Sequence, residues 1–272
     1  MMGYNRTCRL ADFAMLAADF CEVYPHEVAV HPDYPTGQEY RKSWEITQIV
    51  RGLRDFGALH PHARLLGVGA GHEWTIYYLT TRVEQVFATD LYLAPNFWDE
   101  FAPAEFMSNP GKYAPAGAAW NPQRLVVQHA DGRALPYPDG FFDGVFSASS
   151  IEHFGTLDEI TQAAREMGRV LKPGGVLALA TEFKLGGPAG DGWGNVVVFD
   201  PETLHRHIIE PSGCEMVDAA DYDTDDTTLA TKQGLDWVVT TAHAGKVIPA
   251  PHIVLEHLDY IFTSASVVGV KS

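Results

Sequence analysis

The chain of 272 residues is poor in several things, and each shortage closes off a class of function. No apolar run reaches the roughly 20 residues that a membrane-spanning helix needs. Near the start, Asp12, Asp19 and Glu22 interrupt the apolar residues, so no signal peptide is expected either. Cysteine is scarce. Cys8, Cys21 and Cys214 are odd in number, far apart and free of any CxxC pair. That argues against a disulfide framework or a zinc knuckle and for a reducing, cytoplasmic setting. Basic charge is short as well: 19 Lys and Arg face 35 Asp and Glu, for a formal net charge of -16. Proteins that grip nucleic acid usually show a basic face, so no nucleic-acid partner is expected. Metal-ligand patterns are missing too. His205 and His207 stand two apart on a predicted helix and point to different faces. Asp221, Asp223, Asp225 and Asp226 lack the glycine and glutamate order of a calcium loop, and no metal is expected.

What remains is an ordinary globular composition, 46% hydrophobic and 20% charged. Residues 7–23 carry Leu10, Phe13, Ala14, Ala17 and Phe20 at helical spacing. A second helix is expected over about 39–56, with Trp44, Ile49 and Leu53 inward and Gly57 stopping it. The rhythm then changes to short apolar runs at 64–68, 85–89, 124–128, 143–147 and 175–181, separated by helical segments. Strands that alternate with helices imply a mainly parallel sheet covered on both faces. Asp200 and Pro201 mark a helix start, and 215–219 and 260–271 read as two closing strands. The expectation is an α/β, Rossmann-like sheet of seven strands with the last one antiparallel. Residues 1–60 would form a helical lid or substrate region. Residues 61–272 would form the core, with an insertion at about 221–250.

The segment LLGVGAGHEWTIYYLTTRVEQVFATD, Leu65 to Asp90, carries the chemistry. Glycines after the first strand let backbone approach a ligand, and the helix that follows offers unpaired N–H groups. An acid at the end of the second strand, about 20 residues on, can accept from both hydroxyls of a ribose. A dinucleotide fingerprint needs G-x-G-x-x-G. Counting from Gly67 or from Gly69, its last place is taken by His72 or Trp74. An adenosyl ligand without phosphates makes no such demand.

With LLGVGAGHE and FATD, two further segments complete a pattern: HADGRALPYPDGFFDGVFSASSIEHF from His129 and REMGRVLKPGGVLALAT from Arg165. In this order they resemble class I S-adenosylmethionine-dependent methyltransferases, particularly the small-molecule type with a methyltransferase-11-like domain. The likeness covers about 65–181. It implies S-adenosyl-L-methionine as cofactor and a cofactor loop of Gly67, Gly69 and Gly71, with Glu73 beside it. Asp90, followed by Leu91, would bind the ribose. Asp131 and Gly132 would reach the adenine, and Ser147 and Ser149 would floor the methionyl end. LKPGG would be a structural turn. The chain departs from the pattern at Gly67, where most relatives carry an acid that helps hold the methionyl ammonium. Glu73, on the same loop, or the N-terminal region would take its place.

Glu152 and His153 follow the fourth core strand, beyond whose carboxyl end ligands are expected. Either is a candidate base, and a histidine pKa lies near neutrality. His31, Tyr34 and Arg41, before the first core strand, are candidates for substrate contact. The reading is methyl transfer to a small molecule, most readily a hydroxyl of a sugar or secondary metabolite. No membrane partner is expected, and a homodimer is left open. The rivals are a methyltransferase-like binding module without turnover and an NAD-dependent oxidoreductase. A nucleic-acid methyltransferase is disfavoured by charge and by SSIEHF standing where an NPPY-like motif would be.

Overall fold

The computed structural model describes residues 2–94 and 100–272. The chain begins with a two-residue strand, β1 (Arg6–Thr7), and three short helices, α1 (Leu10–Met15), α2 (Ala17–Val23) and α3 (Pro25–Val30). One helix was expected over 7–23. Its first residues run extended instead, because β1 pairs with the edge of the last strand. The fourth helix, α4 (Arg41–Asp55), buries Trp44, Ile49 and Leu53 as its spacing predicts. The Trp44 indole N–H donates to the buried Asp12 carboxylate at 2.8 Å, which ties α4 to α1.

The parallel strands follow: β2 (Arg64–Val68), β3 (Gln85–Asp90), β4 (Leu125–His129), β5 (Phe142–Ala148) and β6 (Leu171–Gly186). Helix α5 (Trp74–Leu79) lies between β2 and β3, and α6 (Leu157–Val170) between β5 and β6. A reciprocal cap starts α6: Glu159 N–H donates to the Thr156 hydroxyl, and Thr156 N–H donates to the Glu159 carboxylate. β2 and β5 are buried almost throughout, while the edge strand β4 is half-buried.

A small hairpin, β7 (Gly192–Trp193) with β8 (Val196–Val197), precedes α7 (Pro201–Leu204). Asp200 caps α7 by accepting from Thr203 N–H at 2.8 Å, as the sequence suggested. A π-turn at His205–Ile209 carries it into α8 (Glu210–Ser212). The rest is β9 (Cys214–Met216), α9 (Asp226–Leu229), β10 (Gln233–Gly234), α10 (Leu235–His243), β11 (Leu255–His257) and β12 (Tyr260–Lys271).

Among the described residues ten strands share one sheet, along the path β10-β11-β12-β6-β5-β2-β3-β4. β2, β3, β4, β5 and β6 are mutually parallel, and β12 runs antiparallel to β6. The seven strands expected from the sequence are all present. The additional three are β1, β10 and β11. β12 explains two of them. Its far edge is covered in succession by β11 at Phe262, β1 at Ala265 and β9 at Gly269. A long strand thus keeps no open edge along most of its length, which removes a template for aggregation. From β2 the chain builds outward through β3 and β4, then crosses back to add β5 on the other side. That reversal leaves a crevice at the carboxyl ends of β2 and β5, the place where such sheets bind ligands.

Candidate active site

A cleft of about 540 Å³ opens at that crevice, inside the ~300–1,000 Å³ usual for ligand pockets. Its floor is the loop after β2. Gly69 and Gly71 sit at φ +64° and +48°, where side chains are strained. A Cβ on Gly69 would overlap the Ser150 hydroxyl, and one on Gly71 would come 2.6 Å from the Phe101 carbonyl. Ala70 N–H donates to the Thr89 carbonyl at 3.0 Å, fastening the loop to the end of β3.

Asp90 ends β3 and faces this loop. One carboxylate oxygen accepts from Gly71 N–H at 2.9 Å and the other from Leu91 N–H at 2.7 Å. Burial pushes its pKa up against those two bonds. Each oxygen keeps a lone pair toward the cleft, and more donors would relieve the desolvation. On the far wall, Arg133 grips Asp131 through Nε and Nη2 and also pairs with Glu159, which holds the Asp131 pKa down. Gly132 is packed against the Phe154 ring and Val68, at 2.7 and 2.9 Å from where its Cβ would stand. Any side chain there would push Phe154, which lines the cleft, out of place.

The wall between the floor and α4 is charged. Lys42 Nζ lies 2.7 Å from Glu73, 3.3 Å from Glu45 and 3.0 Å from the Ala148 carbonyl. Arg41 pairs with Glu45 and Glu182 and donates to the Ser264 hydroxyl. Ser149 takes φ +46°, unusual for a residue with a side chain. Its N–H donates to the Ala180 carbonyl at 2.8 Å and its hydroxyl to Glu45 at 2.7 Å, which hold it there. Below this level Glu152 is fully enclosed and accepts from the Thr181 hydroxyl at 2.9 Å. Burial and the nearby Glu45 raise its pKa to about 7. Burial has the opposite sign for His153 and lowers its pKa, leaving the ring neutral at neutral pH.

The structure brings Gly69, Gly71, Glu73, Asp90, Leu91, Asp131, Gly132, Ser149 and His153 around one cleft. Gly67, Ser147, Glu152, His31, Tyr34 and Arg41 are not among its lining residues. Gly67 is covered by Phe146. Ser147 is buried, and its hydroxyl has no partner among the described residues. His31 is exposed at the end of α3, whereas Tyr34 packs in the core against Phe20 and Tyr24. Arg41 belongs to the ion cluster. Lys42, Phe101, Arg133, Phe154 and Asn195 line the cleft without having been singled out from sequence. For Lys42 a signal existed. Glu45 stands three residues on, in RKSWE, the helical spacing of an ion pair.

Residues 66–179 match the model of the family described as methyltransferase domain. Over 108 residues the chain is 33% identical to a 27-O-demethylrifamycin SV methyltransferase of Amycolatopsis mediterranei, covering 35% of this chain and 39% of that protein. The chain thus spans about two fifths of that relative's length. Among solved structures it is similar to the [4+2]-cyclase SpnF, with a TM-score of 0.56 at 20% identity, covering 95% of this chain and 94% of that one. A phosphoethanolamine N-methyltransferase 2 of Haemonchus contortus, solved with S-adenosyl-L-methionine, gives 0.51 at 15% identity, covering 83% and 52%. These structural likenesses concern the fold.

Residues 66–179 are therefore similar to a methyltransferase domain, and the cofactor to fit to the cleft is S-adenosylmethionine. The residues present suit that cofactor. Asp90 offers acceptors to a pair of vicinal hydroxyls, the glycine loop leaves backbone bare beside it, and Phe154 offers an aromatic surface. Among the described residues no group of acidic, cysteine or histidine side chains is arranged to hold a metal ion, and no helix is long and apolar enough to cross a membrane.

Proposed function

We propose that this chain transfers a methyl group from S-adenosylmethionine to a small molecule, with a hydroxyl as acceptor. The observation that carries the reading is Asp90, its two oxygens tied to the Gly71 and Leu91 amides and facing a cleft floored by bare backbone. When bound, the cofactor supplies an electrophilic methyl on a sulfonium centre. Asp90 would hold the ribose, while Asp131, Gly132 and Phe154 would border the adenine. Positioning two reactants and excluding water contributes ~7–11 kcal/mol in favourable cases. A hydroxyl acceptor also has a proton to lose, and a placed base contributes about 10²–10⁴-fold. His153 is the better candidate, since it lines the cleft and burial keeps its ring neutral. Glu152 is enclosed beneath and would act by fixing the turn after β5 that carries its neighbour. The Amycolatopsis relative, named for O-methylation, supports a secondary-metabolite hydroxyl as acceptor.

The test combines thermal shift with turnover. S-adenosylmethionine or S-adenosylhomocysteine at about 100 times its Kd should stabilise the protein by ~2.7 kcal/mol, and NAD should not. Labelled methyl should then appear in a hydroxylated acceptor, with His153→Gln lowering turnover and sparing cofactor affinity. A response to NAD alone overturns the reading. Tight cofactor binding without transfer to a broad set of alcohols and amines favours a module without turnover.

A further inference from the structure

Position 67 is closed to the acid that the resemblance leads one to expect. A Cβ there would lie 2.8 Å from Phe146 Cζ and 2.9 Å from Ala70 Cβ, so a carboxylate would have to displace the ring. The need it would meet does not vanish. The amino-acid end of the cofactor is a zwitterion, and enclosing either charge without a partner is costly. Among the described residues, Asp90, Glu45 and Glu73 are carboxylates that interact at this end of the cleft. Asp90 is tied to the Gly71 and Leu91 amides. Glu45 is fully enclosed and committed, accepting from the Ser149 and Ser264 hydroxyls and pairing with Arg41.

Glu73 differs. It lines the cleft, its side chain is 28% exposed, and among the described residues Lys42 is its one ion-pair partner. Lys42 also lines the cleft, with 43% of its side chain exposed. Its ammonium has two further partners, Glu45 and the Ala148 carbonyl at the end of β5. Lys42 can therefore keep its place while Glu73 turns toward a ligand.

We propose that Lys42 and Glu73 together seat the amino-acid end of the cofactor, Glu73 taking the ammonium and Lys42 the carboxylate, in place of an acid at position 67. The inference rests on the cofactor reading above. A zwitterion laid against an ion pair of opposite sense gives four alternating charges and adds no net buried charge. The arrangement moves this function from the end of β2 to the joint between α4 and the α5 entrance.

Calorimetric titration of the full chain with three ligands tests it. S-adenosylhomocysteine carries both charges, decarboxylated S-adenosylhomocysteine keeps the ammonium alone, and 5′-methylthioadenosine has neither. Lys42→Met should weaken S-adenosylhomocysteine by about tenfold or more, with methylthioadenosine unchanged within about twofold. It should not weaken the decarboxylated ligand. Glu73→Gln should weaken both ligands that carry the ammonium and spare methylthioadenosine. Lys42→Arg should retain most of the affinity. Equal losses for all three ligands would mean the pair only shapes the cleft, and undiminished S-adenosylhomocysteine binding would remove it altogether; either result overturns the proposal. Wild-type protein that binds methylthioadenosine as tightly as S-adenosylhomocysteine keeps the cofactor reading and overturns this one. Wild-type protein that binds none of the three overturns both.

Discussion

The wall of the cleft built on β2 and β3 and the wall built on α4 and β5 treat polarity in opposite ways. The first is spare: bare glycine backbone and the Asp90 carboxylate, held by two amides. The second is backed by charge: Lys42 lines the cleft, Arg41, Glu45 and Glu182 pair behind it, and Glu73 reaches it from the loop after β2. On the first wall shape carries the burden, and a single methyl group in the wrong place is decisive. On the second, charges compensate one another, so losing one leaves its partner exposed to a poor environment.

The sharpest way to break this contrast is to put bulk into the spare wall. Gly69→Val places a branched side chain at positive φ and into the Ser150 hydroxyl. S-adenosylhomocysteine binding should fall by about a hundredfold or more in calorimetry, since both strain and overlap oppose the loop. Asp90→Ala comes next. It removes the carboxylate at the end of β3 and should weaken S-adenosylhomocysteine and methylthioadenosine alike, by about ten- to a hundredfold. Equal loss for the two ligands is what separates Asp90 from Lys42 and Glu73.

The charged wall answers to pH. The Glu152 carboxyl is raised from 4.5 to about 7 by burial, and Glu182 likewise to about 7. The folded protein thus retains protons that the unfolded chain has released. Their contribution is complete below about pH 4.5 and is lost as pH climbs through about 7. Glu152→Gln, always neutral, should flatten the decline in stability across that window, measured by denaturant unfolding at several pH values. Under the proposed role of His153 as base, turnover should show an acid limb below the ordinary histidine value, because burial lowers its pKa, and His153→Gln should abolish that limb. The smallest expected effect lies outside both walls. Thr156→Ala removes the α6 cap and should cost about 1 kcal/mol of stability without altering ligand affinity.

The same contrast explains what could be read from the residues. The spare wall is local: Gly69, Gly71 and Asp90 fall within one strand–helix–strand unit, so their spacing alone suggests a ribose site. The parallel strands were equally legible because each is an apolar run bounded by turns. The charged wall is not local. Arg41 reaches Glu182 across 141 residues and Ser264 across 223, and Lys42 reaches Ala148 across 106. Only the pairs with Glu45, three and four residues on, leave a helical signal; no periodicity reports the rest, and so Arg41 read as a substrate contact while Lys42 went unnoticed. Two-residue strands such as β1 and β10 carry no pattern at all. They form because β12 and β11 offer edges, which only the assembled fold reveals. Ser147 and Ser149 looked equivalent in SASS, yet the left-handed turn at Ser149 brings one to the cleft and leaves the other buried.

The central claim is that the crevice between β2 and β5 is an adenosyl site closed on one side by Asp90. The most direct test is calorimetric titration of the wild-type chain and of Asp90→Ala with S-adenosylhomocysteine. The account predicts a single saturable site in the wild type and a loss of about tenfold or more in the variant. An affinity that does not change with Asp90 gone, or no heat of binding in the wild type, would contradict it.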